Sequence, residues 1–240
     1  MTAMFQPLIR TARSGLALAL ALVTAAAALA TINAAAQAPA IMPVEQEPRH
    51  RTVHEDAQVR VLEIRIPAGD ESLMHNHMHD GVHITVQGAR ISETKPGGWW
   101  ASTHAASEPG LTYYSALNGK QYAHQIRNID TVATHIIALE LLGTAPAVPK
   151  ATAALTYSER IANNERVEVG RIKVMAGARI ELPPLPQRTL LVSLSSGAAT
   201  AGDTALALLP GSLHWLATGP ARALTAPAGQ AMELIAIQFK

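Results

Sequence analysis

Four of the ten histidines of this 240-residue chain fall within nine positions, at His75, His77, His79 and His83. All have odd numbers, and side chains of equal parity leave an extended strand from one face. Neutral imidazoles gathered on one face can hold Zn, Fe, Ni, Cu or Mn. The chain contains no Cys, so a transition-metal site must be built from nitrogen and oxygen ligands. His79 sits beside Asp80 at a turn and reads as solvent-exposed. His104 and His135 stand alone and read as structural residues.

The elements that must position these residues read as strands. From about residue 52 to 240 the runs are short, rich in Val, Ile, Leu and Thr, and punctuated by Gly and Pro. No stretch there has helical periodicity with caps. The run Val59–Ile66 alternates apolar and charged residues at 62–66. Arg60, Glu63 and Arg65 do not fit one strict alternation, so a bulge or an edge position is expected. An internal repeat sets the domain organisation. Residues 59–69 (VRVLEIRIPAG) align without a gap to 167–177 (VEVGRIKVMAG), and the endings IIALELLG and LIAIQFK also match. A repeat of about 100 residues is a whole-domain duplication, far longer than a solenoid unit. The expected layout is a Pro-rich arm at 37–51, a β-domain at 52–145, a linker at 146–154 and a second β-domain at 155–240.

Gly69, five residues, His75-x-His77 and a closing Gly88 reproduce most of the first motif of the cupin superfamily. His124 followed three residues later by Asn128 matches part of the second. Residues 52–142 therefore resemble a cupin domain, closest to small secreted or cytosolic members of undefined activity. The fold this implies is all-β, two tandem jelly-roll barrels. The ligands it implies are His75, His77 and His124, around a mononuclear divalent transition metal: Fe, Zn, Mn, Ni or Cu. One position departs from the pattern. The motif carboxylate falls at residue 81, which is Gly81 here. Either His83 completes an all-nitrogen site, or the metal is lost and the histidines bind a ligand or one another. Asn128 reads as support for the turn after the His124 strand. Tyr113, Tyr114 and Tyr122 read as packing residues, with Tyr122 near enough in sequence to His124 to reach the cavity. Of Trp99 and Trp100, adjacent on a strand, one is expected to line the barrel and the other to cap it.

The second half keeps the framework without the ligands. The repeat sets Pro183 opposite His75 and Leu185 opposite His77. His214, in Pro210-Gly-Ser-Leu-His-Trp215, has no partner histidine. The second domain reads as a structural barrel that packs on the first, each burying the other's edges.

Residues 1–36 have the layout of a secretory signal peptide: Arg10 and Arg13 without acids, an apolar run at 15–32, and Ala34-Ala35-Ala36 as a cleavage site. The rival is an uncleaved anchor, because the run approaches the ~18 residues of a spanning helix. Cleavage leaves a periplasmic or secreted protein. It also removes two of 19 basic residues and none of 18 acids, so 17 against 18 remain. That balance, with few aromatics, excludes a nucleic-acid footprint. The expected partner is a small-molecule ligand or substrate, with a homo-oligomer left open. Two functions follow: a module holding a metal or small ligand, or a dioxygenase-, isomerase- or decarboxylase-type enzyme. No acid or base is legible in the motif, and no phosphate loop or Ser/His/Asp set.

Overall fold

Strands of period two, each with two faces to bury, generate the architecture. The computed structural model describes residues 40–102 and 105–240. The leader, its anchor alternative and His104 lie outside the described residues. The first half runs β1 (Met42–Pro43), β2 (His50–Glu55), β3 (Val59–Ile66), β4 (His75–His77), β5 (Gly81–Gln87), β6 (Ile91–Thr94), β7 (Ala101–Ser102), β8 (Thr112–Ser115), β9 (Tyr122–Asn128) and β10 (Thr134–Leu141). A 3-10 turn at Val44–Gln46 follows β1. The second half runs β11 (Glu159–Asn163), β12 (Val167–Val174), β13 (Arg179–Leu182), β14 (Thr189–Ser193), β15 (Gly197–Ala201), β16 (Thr204–Leu208), β17 (Leu213–Leu216), β18 (Arg222–Thr225) and β19 (Met232–Phe239). Among the described residues no helix is long and apolar enough to cross a membrane.

Each half folds as two sheets. The first has strand orders β2-β3-β10-β5-β8 and β1-β4-β9-β6-β7; the second has β11-β12-β19-β14-β17 and β13-β18-β15-β16. The repeat extends to register. Val59 pairs with Leu141 in the first half as Val167 pairs with Phe239 in the second. Strand β3 lies between β2 and β10, so it is not an edge, and the irregularity expected in it falls in β2, between Thr52 and His54. Its charges are resolved by ion pairs instead. Arg60 meets Glu140 and Glu55, and Glu63 meets Arg51 and Arg65.

The sheet β2-β3-β10-β5-β8 buries both faces, and the parity of its residues decides which side each serves. Val59, Val61, Val82, Ile84, Ile137 and Leu139 join Val167, Val169, Leu190, Val192, Ile235 and Ile237 in one cluster. The two halves thus meet face to face across their sheets, not along sheet edges as the sequence suggested. The faces carry the branched apolar side chains, so covering them removes more apolar surface from water than pairing edges would. The opposite parity, with Arg60, Leu62, Ile64, Gly81, His83, Ala138 and Glu140, faces the interior of the first half. Its equivalent in the second half is apolar. Leu182, Leu185, Leu191, Leu206, Leu208, Leu216 and Leu224 fill that interior, with Ala153 and Leu155 from the stretch between β10 and β11.

Candidate metal centre and its cavity

Pairing register brings the histidines together. His75 and His77 bracket one residue on β4, so both rings leave its buried face. Strand β9 runs antiparallel beside β4 and sets His124 directly opposite His75. Ring centroids are 4.5 Å apart for His75 and His124, 5.1 Å for His75 and His77, and 5.2 Å for His77 and His124. A fourth ring comes from the arm. His50 opens β2 in the facing sheet and lies 4.3 Å from the His75 ring and 6.2 Å from that of His77. Coordinating atoms of His50, His75 and His77 all lie within 4.8 Å of one another. The structure therefore gathers His75, His77 and His124 and adds His50. His83 stands further off, 6.1 Å from His77, with its ring stacked on Tyr113 at 4.9 Å and 10°.

Each of the four rings turns its Nδ1 toward an acceptor. His75 Nδ1 donates to Leu73 O at 2.9 Å. His50 Nδ1 is hydrogen-bonded to the carboxylate of Glu47. His77 Nδ1 faces Glu140 Oε1 and His124 Nδ1 faces Glu93 Oε2, both at 3.6 Å. A proton held at Nδ1 leaves Nε2 as a lone pair, the arrangement by which outer partners orient metal-binding imidazoles. Nε2 of His75 and both ring nitrogens of His124 are buried with no hydrogen-bond partner. Burial and the neighbouring imidazoles push His75 down to about 2, and burial also lowers His50 and His124. Lowering favours the neutral form of His50, His75 and His124, the form in which an imidazole binds a metal.

The carboxylate absent from position 81 has a physical reason. A Cβ on Gly81 would stand 2.5 Å from Leu139 O on β10. Gly81 pairs across the sheet with Glu140, and there the carboxylate appears, one strand over. Burial alone would raise the Glu140 pKa, yet His77 and Arg60 hold it below the usual value. Arg60 Nη1 donates to Glu140 Oε2 at 2.9 Å, while Oε1 has no hydrogen-bond partner. The charges around the rings favour a cation. Glu47, Glu93 and Glu140 touch the histidines, against Arg60, which Glu45 and Glu55 also share, and Lys95, whose charge reaches Glu93. Three clustered imidazoles, the His124 ring beside them and an excess of carboxylate fit a divalent transition metal.

A cavity of about 290 Å³ adjoins the cluster, lined by His50, His77, His83, His124, Glu93 and Glu140 among others. His83 lies deep in the barrel, its exposed surface facing this cavity, and burial with the charges of His77 and His124 pushes it down to about 3. Tyr122 also lines the cavity and donates its hydroxyl to Glu93, so its packing role is joined to a polar one. Tyr113 reaches the cavity as well, while Tyr114 joins the inter-sheet cluster and donates to Asp80 at 3.0 Å. Asn128 braces its turn through Ile66 O and Val132 O.

Several expectations need correction. His79 is half-buried at the cavity and not simply solvent-exposed, because the turn after β4 folds over the barrel. His135 is not alone: it points to the other face of β10, 3.2 Å from Glu63. Neither Trp lines the barrel. The Gly97-Gly98 turn carries them outward, leaving Trp99 95 % exposed and Trp100 beneath Arg127. Glu47, His50, Glu93 and Glu140 were not legible as site residues. His50 and Glu47 lie in the segment read as an arm, and the two other acids lie opposite the histidines only once strands pair.

No family model and no curated protein matches the sequence. Solved structures do match. YhhW from Escherichia coli superposes with a TM-score of 0.55 at 11% identity, covering 81% of this chain and 89% of its own. A cupin 2 conserved barrel domain protein from Leptotrichia buccalis gives 0.50 at 10% identity, covering 79% and 88%. Salicylate 1,2-dioxygenase from Pseudaminobacter salicylatoxidans gives 0.51 at 10%, covering 82% and 77%. These likenesses show a cupin-type β-barrel fold.

Proposed function

We propose that this chain is an exported bicupin that holds one divalent transition metal in its N-terminal barrel and presents it to a small molecule in the adjoining cavity. The observation that carries the reading is the cluster of His50, His75 and His77, whose coordinating atoms all lie within 4.8 Å of one another, with the His124 ring 4.5 Å from that of His75. His50, His75, His77 and His124 would hold the metal. Bound there, it would supply a Lewis acid or redox centre for an oxygen atom of the ligand. The protein's own groups have separate tasks. Glu47, Glu93 and Glu140 orient their imidazoles, and Arg60 fixes Glu140. The apolar walls exclude water. The second barrel, filled with leucine, supports the first through the shared sheet face.

A second reading is catalytic, and Glu93 favours it. Its carboxylate lines the cavity, accepts the Tyr122 hydroxyl and lies beside His124. A carboxylate at that place can take a proton from a bound hydroxyl or α-carbon, as dioxygenase-, isomerase- or decarboxylase-type chemistry requires. Elemental analysis of the purified mature protein tests the shared premise. One equivalent of Fe, Mn, Ni, Cu or Zn, lost in His75→Ala and in His124→Ala, is expected. A protein that takes up no metal under any loading condition, or loses none in these variants, would overturn it.

A further inference from the structure

The walls of the cavity specify what it can hold. We infer that it takes an uncharged, ring-sized molecule bearing a hydroxyl or carbonyl oxygen, and discriminates against the matching carboxylate. The inference uses the metal reading only to say where the oxygen points; the discrimination comes from the walls.

Size sets the first limit. About 290 Å³ lies at the lower end of the range for small-molecule pockets, enough for a single ring with short substituents. Shape sets the second. His83 and Tyr113 stack face to face at 4.9 Å, and both line the cavity. Ile64, Ile66, Ile126 and Ile136 contribute aliphatic surface. A ring presents flat apolar faces to such walls.

Charge sets the third limit. Among the described residues no Lys or Arg lines the cavity, whereas Glu93 and Glu140 do. The guanidinium that pairs with Glu140, that of Arg60, is also engaged by Glu55 and Glu45. An anionic ligand would lose its hydration, find no guanidinium or ammonium in the lining, and meet two carboxylates; Lys95, outside the lining, lies 5.1 Å from the centroid of the Tyr122 ring. Thr85, Ser115, Thr134 and Tyr122 offer neutral hydrogen-bonding groups instead.

The test compares phenol and benzoate, two rings of similar size, on the mature protein by calorimetry at pH 7.5. It is run on Zn-loaded and on metal-free protein. Phenol is expected to bind the metal-free protein, with benzoate weaker by ~10-fold or more. The preference persists with Zn, though narrowed by the added positive charge. Glu93→Gln, which removes one wall charge, is expected to improve benzoate relative to phenol by about threefold or more. That shift also locates the binding in this cavity. Benzoate binding as tightly as phenol to metal-free protein, no phenol binding in either form, or an unchanged ratio in Glu93→Gln would overturn the inference. Because the decisive ratio is read without metal, a protein that fails to bind Zn defeats the metal proposal and leaves this result to stand or fall by itself.

Discussion

Position 81 shows how a single residue can mislead a motif and yet obey the fold. A carboxylate there would complete the family pattern, but the backbone of β10 passes too close for any side chain. Leu139 O would sit 2.5 Å from the new Cβ, and that atom belongs to a paired strand that cannot swing away. Gly81→Ala and Gly81→Glu are therefore both expected to cost ~1–3 kcal/mol, the usual penalty of overpacking. Restoring the motif by Gly81→Glu should not tighten metal binding. Urea midpoints and a metal competition titration check both parts. A stable Gly81→Glu protein with higher metal affinity would show that the β10 backbone does not bar a carboxylate from position 81.

At the scale of elements, the arm matters most. Met42 pairs with His75, so β1 lies directly beside the histidine strand. The following turn buries Glu47, whose carboxylate accepts the backbone N–H groups of Arg49 and Leu73 as well as serving His50. One acid thus ties the arm, the loop before β4 and a metal-facing ring together. Glu47→Gln is expected to lower metal affinity ~10–100-fold, the range seen when an orienting partner is lost. A chelator competition assay measures this, and unchanged affinity in a folded variant would remove the arm from the site. The same element marks the limit of reading the sequence. His75, His77 and His124 stood out because their spacing lies along the chain and follows a known pattern. His50 lies in a Pro-rich segment without periodicity, and Glu140 in an apolar strand ending. Their approach to the cluster depends on sheet order and register, which local sequence does not encode. The repeat at 59–69 and 167–177 was legible for the opposite reason, since it is a property of the line itself.

The whole molecule is two barrels joined through a shared apolar face, and that face has an electrostatic latch at its margin. Arg188, just before β14, bonds Asp56 at the end of β2 across the junction, and its guanidinium also lies over the rings of Trp215 and Phe239. Asp56 further accepts the N–H groups of Gln58 and Val59 and faces His54 Nε2 at 3.1 Å. The Arg188 guanidinium, with these donors, holds the Asp56 carboxyl well below the usual carboxylate range. A depressed folded-state pKa gives a definite sign. The unfolded chain takes up the proton first, near the ordinary value of ~3.9. Asp56 therefore stabilises the fold fully above about pH 5, and its contribution declines as pH falls below ~4 toward the folded-state value. Asp56→Asn should lower the urea midpoint by a constant amount between pH 5 and pH 8, and the gap to wild type should narrow steadily below pH 4. The other acids titrate in both proteins and cancel in the comparison. A gap that stays constant down to pH 2.5, or widens there, would show that the carboxylate's charge does not hold the two barrels together.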